Sequence, residues 1–240
     1  MKKKSFITLS ILFLVIAPFY AQNRNLQRHT EGFMEYLDTF NNRPETFLEV
    51  YDGTPYNNES FLLGNIYIKD ELSASDVALR FNIYSDEIEI KESLQADDDK
   101  INALIKSPDI SVTILRDKYY YVSKGKGLEK GGYFQVLTTG KKYSLYKKLG
   151  KKYYPARKAK TSFEQDVPAK FDDRATYFIH FNNGGMVELP DSKKKAYKVF
   201  GKSESEVKEY CKERKLDISK EKDLKRVVLY LDNKTNTTQK

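Results

Sequence analysis

The chain has 240 residues, of which 40% are hydrophobic, with 18 Tyr, 14 Phe and a single Cys. These values exclude a disordered polymer, which lacks apolar side chains to bury. They also exclude a disulfide-stapled fold, which needs paired cysteines. The formal charge of +8 is mild for this length, so the placement of charge matters more than its sum.

Residues 1–21 read as a secretory signal peptide. Lys2, Lys3 and Lys4 form a positive start, an apolar run from Phe6 to Ala17 follows, and Pro18 precedes a small residue at Ala21. The apolar run is about 12 residues, short of the roughly 20 needed to span a bilayer. The expected location is periplasmic or extracellular. The leader carries three lysines and no acid, so the remaining chain stands near +5.

From Asn23 to Pro44 a weak helical face is expected from Phe33, Met34, Leu37 and Phe40. Strand signals begin at Phe47–Tyr51, closed by Asp52-Gly53, and continue at Phe61–Ile68. Val77–Lys91 reads as a hairpin. Leu79, Phe81 and Ile83 alternate with Arg80, Asn82 and Tyr84, Ser85-Asp86 turns the chain, and Ile88 and Ile90 continue the pattern. Asp97, Asp98 and Asp99 predict the acidic start of a short helix through Ile101, Leu104 and Ile105.

Further strands are expected at Ile110–Leu115 and Lys118–Val122. After a Gly-rich loop from Gly125 to Gly132 come Tyr133–Thr138 and Lys142–Lys147. The stretch 151–173, with two prolines and little alternation, reads as a crossing linker. Arg174–Phe181 and Met186–Leu189 predict a last hairpin. The fold class is mainly β (α+β): an antiparallel meandering sheet, as sandwich or half-barrel, over residues 22–190.

At Pro190 the period changes to 3.6, marking a helical C-terminal subdomain at 191–233 with a polar tail at 234–240. Ser192 is read as the cap of a first short helix bearing Ala196, Val199 and Phe200, which Gly201 ends. Ser203 and Glu206 fit a capping box ahead of Val207, Tyr210 and Cys211. A third helix, starting at Ser219, places Leu224, Val227, Val228 and Leu231 on one stripe.

The run Leu79–Tyr84 with Glu87–Glu89, the triplet Gly132-Tyr133-Phe134, and the ending Lys193–Lys195, Asp223-Leu224 and Val228–Asn233 resemble a family of exported proteins from Gram-negative bacteria. That family has no assigned activity. The resemblance implies export and the β architecture, and transfers no functional residue.

Catalytic and metal motifs are weak. His29 and His180 are too few and too far apart for metal-ligand spacing, and no Gly-x-Ser-x-Gly elbow occurs. Gly201-Lys202-Ser203 looks like the end of a phosphate loop, but its first glycine position is Ala196. Cys211, on an apolar stripe, reads as a buried and quiet thiol. No catalytic residue, metal ligand or cofactor is assigned.

One segment stands out. Lys141–Lys160 holds nine basic residues, four interleaved tyrosines and no acid. Lys141, Lys142, Tyr143, Tyr146, Lys147, Lys148, Lys151, Lys152 and Tyr153 are the candidate contacts for an anionic partner: a glycan, a lipid head group or a nucleic acid. The bland counterpart is a solvated strand edge blunted by lysines. The expected function is an exported non-catalytic binding module. The alternatives are a carrier or chaperone for an apolar ligand in a half-barrel, or an enzyme with a carboxylate-based site.

Overall fold

The structure is a computed structural model that describes residues 37–38, 51–97, 101–125, 127–181 and 185–237. The signal peptide, the helical face from Phe33 to Phe40 apart from Leu37, the start of the Phe47 strand, and Asp98 and Asp99 lie outside the described residues.

The strands are β1 (Leu37–Asp38), β2 (Tyr51–Asp52), β3 (Leu62–Ile68), β4 (Glu71–Asn82), β5 (Glu87–Lys91), β6 (Asn102–Leu104), β7 (Ile110–Ile114), β8 (Asp117–Val122), β9 (Gly132–Thr138), β10 (Tyr143–Tyr154), β11 (Ala169–Phe181) and β12 (Gly185–Glu188). Helices α1 (Lys193–Lys198), α2 (Glu204–Arg214) and α3 (Glu221–Thr237) close the chain. The protein is mainly β, with one open sheet in the order β1-β6-β5-β4-β3-β7-β8-β9-β10-β11-β12. All of these pairs are antiparallel, and β2 adds a short parallel pair on β11. Among the described residues no helix is long and apolar enough to cross a membrane.

The expected hairpin at Val77–Lys91 forms, with Phe81 opposite Ile88 and Leu79 opposite Ile90. Its apolar face is buried, as period-two alternation requires. The polar face is covered too. The Arg80 guanidinium lies 3.8 Å from the Tyr56 ring and 4.3 Å from the Phe61 ring, and its Nη2 meets Glu89 Oε2 at 2.6 Å. Asn82 Nδ2 donates to the other Glu89 oxygen at 2.9 Å, so the buried carboxylate is satisfied on both sides.

The sheet curls until the β4–β5 turn reaches β9 and β10, although β3, β7 and β8 intervene. Asp86, at φ +57°, accepts the Tyr133 N–H at 3.2 Å and pairs with Lys148 Nζ at 2.7 Å. Lys148 in turn donates to the Tyr133 carbonyl at 3.1 Å. The β9–β10 ladder stops at the Gln135–Lys147 pair. The ion pair therefore takes over the backbone groups that the ladder leaves unpaired. Gly132 makes room for it, since a Cβ there would collide with Lys148 Nζ and Asp86 Oδ2.

Inside the curl, Phe81 meets Tyr119 at 5.2 Å and Tyr133 at 6.0 Å, edge to face. All three are fully buried, so this part of the half-barrel is filled by side chains. A second core lies between β10, β11 and the helices. Leu145 and Ile179 pack there against Val207 and Cys211 of α2 and against Leu224, Val227, Val228 and Leu231, the stripe expected of α3. Asp232 of α3 accepts N–H groups from Lys141 (3.1 Å), Lys142 (2.7 Å) and Tyr143 (3.0 Å), clamping the β9–β10 turn.

Four local expectations are corrected. The stretch after Asp97 is not helical: Asn102–Leu104 is a strand, because it pairs with β5 on one side and β1 on the other and buries Ala103 and Leu104. The Ser203–Glu206 capping box does not form, since Ser203 is already held in the 3-10 turn Gly201–Ser203. Ser192 likewise makes no side-chain cap bond, and Ser219 lies outside α3, its Oγ bonded to Asp217. Helix α3 continues past Asn233 to Thr237.

The stretch 151–173 is not a crossing linker. It is the distal half of the β10–β11 hairpin, in register from Tyr143 opposite Phe181 to Tyr154 opposite Lys170. The prolines sit just beyond the paired segments, where no ladder N–H is needed.

Two measurements probe this packing. Val228→Asp places an unpaired charge in the helix–sheet core and is expected to lower stability by about 3 kcal/mol or more in urea unfolding. Cys211, buried among those side chains with its thiol pushed up by burial, is expected to react slowly with thiol reagents in the native wild type and rapidly in that variant.

Alkaline pH tests the tyrosines. Burial pushes the Tyr119 and Tyr133 phenols well above their usual range, helped by Asp117 and Asp86 respectively. Burial likewise raises Tyr177 and Tyr197 to about 12. The unfolded chain loses these protons first, near pH 10, so stability is complete below that pH and falls above it. Lys148, its ammonium lowered by burial, and Tyr154, its phenol lowered by hydrogen bonds from Lys152 and Arg174, act oppositely, but burial also raises Tyr146 and Tyr230, so the raised phenols prevail. The urea midpoint is expected to drop steadily from about pH 10 upward. Tyr133 Oη is buried without a hydrogen-bond partner among the described residues. Tyr133→Phe should therefore hold or gain about 1 kcal/mol at pH 8 and shed part of the alkaline loss.

Candidate anionic-partner interface

Strand β10 carries most of the basic run and is paired on both sides, by β9 along its first part and by β11 throughout. Alternation sends its side chains to opposite faces, so the nine candidates do not share one surface. Tyr143 packs edge to face on Phe181 at 5.6 Å, toward the helices. Lys147 points the same way and meets Glu221 Oε2 at 2.9 Å. Burial pushes the Glu221 carboxyl up, but hydrogen bonds from Lys225 and Lys147 prevail and hold it down at about 2.

Lys148 is committed to Asp86, and Lys151 is covered while paired with Asp173. Tyr153 joins Tyr84 and Phe171, at 6.3 and 5.0 Å, in a ring cluster that Tyr51 completes against Phe171. Tyr146 lies on the face away from the helices, beside His180. Lys141 and Lys142 occupy the turn that Asp232 clamps. Of the nine, Lys141 and Lys152 are the exposed side chains.

The more coherent surface lies further along the same hairpin. Beyond Tyr154, Arg157 and Val167 exchange reciprocal N–H···O bonds of 2.8 Å. Asp166 then accepts the Ala159 N–H at 2.7 Å, Glu164 accepts the Lys160 N–H at 3.1 Å, and the Glu164 N–H reaches the Thr161 carbonyl at 3.2 Å. These bonds order the loop from Pro155 to Pro168, although it is exposed throughout except at Ala159. The hairpin therefore stands out from the body as an arm rooted in the Tyr84, Tyr153 and Phe171 rings.

One face of the arm carries Lys152, Tyr154, Lys170 and Arg174, with Asp172 among them. The ammonium groups of Lys152 and Lys170 lie 4.6 and 5.1 Å from the Tyr154 ring. Hydrogen bonds from Lys152 and Arg174 hold the Tyr154 phenol below its usual range, which registers the local surplus of positive charge. Lys170 pairs with Asp172 at 3.2 Å. Lys152, Arg157, Lys158, Lys160 and Arg174 make no ion pair among the described residues. Lys170 falls in the stretch 151–173 that reads as a linker, and Arg174 at the start of the expected last hairpin, so the sequence pattern does not join them to Lys152. The available signal was Phe171, Tyr177 and Ile179, whose even spacing matches one face of a continuous strand.

Other chemistry is sparse. A cleft of about 160 Å³ on the face away from the helices is lined by Leu128, Tyr146, His180 and Met186 among others. It is smaller than the 300–1,000 Å³ usual for ligand sites, and this lining offers no carboxylate or thiol. Among the described residues no three His, Cys, Asp or Glu side chains converge to hold a metal ion. Gly201-Lys202-Ser203 forms a 3-10 turn between α1 and α2, with a helix rather than a strand before it. No protein-family model, curated protein or solved structure matches the chain.

The two groups of lysines make contrasting predictions. Lys148→Gln breaks a partly buried ion pair and leaves Asp86 with one donor fewer, so urea unfolding is expected to show a loss of about 2 kcal/mol. Lys158→Gln, on the exposed arm, is expected to stay within about 0.5 kcal/mol of wild type.

Proposed function

We propose that this protein is an exported, non-catalytic binding module that holds an anionic partner on its β10–β11 arm. The observation that carries the reading is the ordered, exposed hairpin on which five cations lack carboxylate partners among the described residues while Tyr154 lies between two ammonium groups. Clustered, unneutralised cations create a local potential that attracts polyanions, and an exposed ring adds a surface for stacking. Export rests on the leader at residues 1–21. The filled interior around Phe81, Tyr119 and Tyr133 lends nothing to the carrier reading.

The test is retention on heparin and DNA matrices across a salt gradient, comparing wild type with the combined Lys152→Gln, Arg157→Gln, Lys158→Gln and Lys160→Gln variant. Wild type should elute at clearly higher salt. On DNA the dependence of log affinity on log salt should flatten by about 3 to 4 in the variant, as each lost charge releases fewer counterions. The melting temperature should stay nearly unchanged. Co-elution of the two proteins at low salt would refute the reading.

A further inference from the structure

The arm ends in an aromatic tip. Phe163, in the turn that the Glu164 N–H closes onto the Thr161 carbonyl, is 98% exposed, far more than any other large apolar side chain in the described residues. Val167, 43% exposed, lies behind it, and Arg157, Lys158 and Lys160 line the approach on the β10 side. Water is a poor solvent for a whole phenyl ring, so such exposure marks a contact surface.

We propose that this tip inserts Phe163 into the head-group region of an anionic lipid membrane while the basic arm binds the lipid phosphates. The inference rests on the anionic-partner reading of the arm and names the partner. Three features favour a bilayer. The ring sits in an exposed turn whose other residues, Thr161, Ser162 and Glu164, are polar, whereas a stable protein interface needs about 800 Å² per side with a dry centre. A bilayer interface asks only for an aromatic body at head-group depth with cations just behind it, reaching back to phosphate. A basic cluster and an apolar anchor together supply the two signals that lasting attachment requires, where either alone is weak.

The charge at the tip is not one-sided. Glu164 and Asp166 also lie there, but each is held by a backbone N–H of the turn, and the whole arm from Lys151 to Arg174 carries seven basic residues against four acidic ones. The cross-bridged backbone also means that little ordering remains to be done on insertion.

The chain has no tryptophan, so Phe163→Trp places a single indole at the tip, which excitation to the red of the 18 tyrosines reads selectively. With vesicles of 30% phosphatidylglycerol in phosphatidylcholine, its emission is expected to move to the blue by about 10 nm or more and its quenching by acrylamide to fall. Pure phosphatidylcholine vesicles, heparin and inorganic phosphate should leave the emission unchanged. In vesicle flotation, Phe163→Ser should weaken binding to the anionic vesicles at least tenfold while keeping wild-type elution from heparin.

Salt-sensitive vesicle binding with no spectral shift, or Phe163→Ser binding as tightly as wild type, would overturn insertion and leave the anionic reading standing. Failure of wild type on vesicles and heparin alike would overturn both. A shift of equal size with neutral vesicles would also overturn the proposal, because the cations would then play no part.

Discussion

The contact between Lys148 and Asp86 governs how far the open sheet curls. The sheet is one open layer in which β1 pairs with β6 and β3 with β7, and strand pairing alone does not fix how far such a layer curls. Here the β4–β5 turn delivers a carboxylate to the place where β9 and β10 part, and β10 answers with an ammonium group. Burial of Lys148 works against its charge, and the nearby Asp86 opposes that cost without cancelling it. The pair is useful less for its Coulomb energy than for its hydrogen bonds. It occupies both the N–H and the carbonyl of Tyr133, which an interrupted ladder would otherwise strand in a low-dielectric setting.

Contact at that point sets up the remaining features. It brings Tyr84, two residues before Asp86, onto Tyr153 and Phe171, and so fixes the root of the β10–β11 hairpin. Beyond that root the hairpin has no layer to pack on and runs into solvent. At the other end of β10, Asp232 of α3 gathers three N–H groups of the β9–β10 turn, and Gly140 is bare because a Cβ would meet that carboxylate. Strand β10 is thus held at its first turn by a helix, at its middle by an ion pair and below that by rings, leaving its distal end free to act.

The same strand shows how one run of lysines is divided between two tasks. Lys147, Lys148 and Lys151 each find a carboxylate from a distant segment: Glu221 in α3, Asp86 in the β4–β5 turn and Asp173 in β11. Their charge is neutralised within the fold. Lys152 projects from the face of β10 opposite to Lys151, and Arg157, Lys158 and Lys160 lie in a loop whose Glu164 and Asp166 carboxylates are taken up by backbone N–H groups, so their charge faces outward. Position along a single hairpin, rather than residue type, separates structural cations from those open to a partner.

What the residues determined without help from the fold was local. Alternation at Leu79–Ile90 specified a hairpin because a one-residue slip would turn its apolar set to solvent. The 3.6 spacing of Leu224, Val227, Val228 and Leu231 likewise specified the buried face of α3. The abundance of lysine and tyrosine between positions 141 and 160 was equally plain. The tertiary structure decided which of those lysines are spent internally, since their acidic partners lie from 22 to 74 positions away and pattern carries no information at that range. It also decided that Asn102–Leu104 is a strand, because pairing between β5 and β1 outweighs the helical hint of the preceding acids. And it turned 151–173 from an apparent linker into an arm: whether a weakly patterned, proline-flanked stretch crosses the body or leaves it depends on the register of the strands at its two ends, which only their pairing sets.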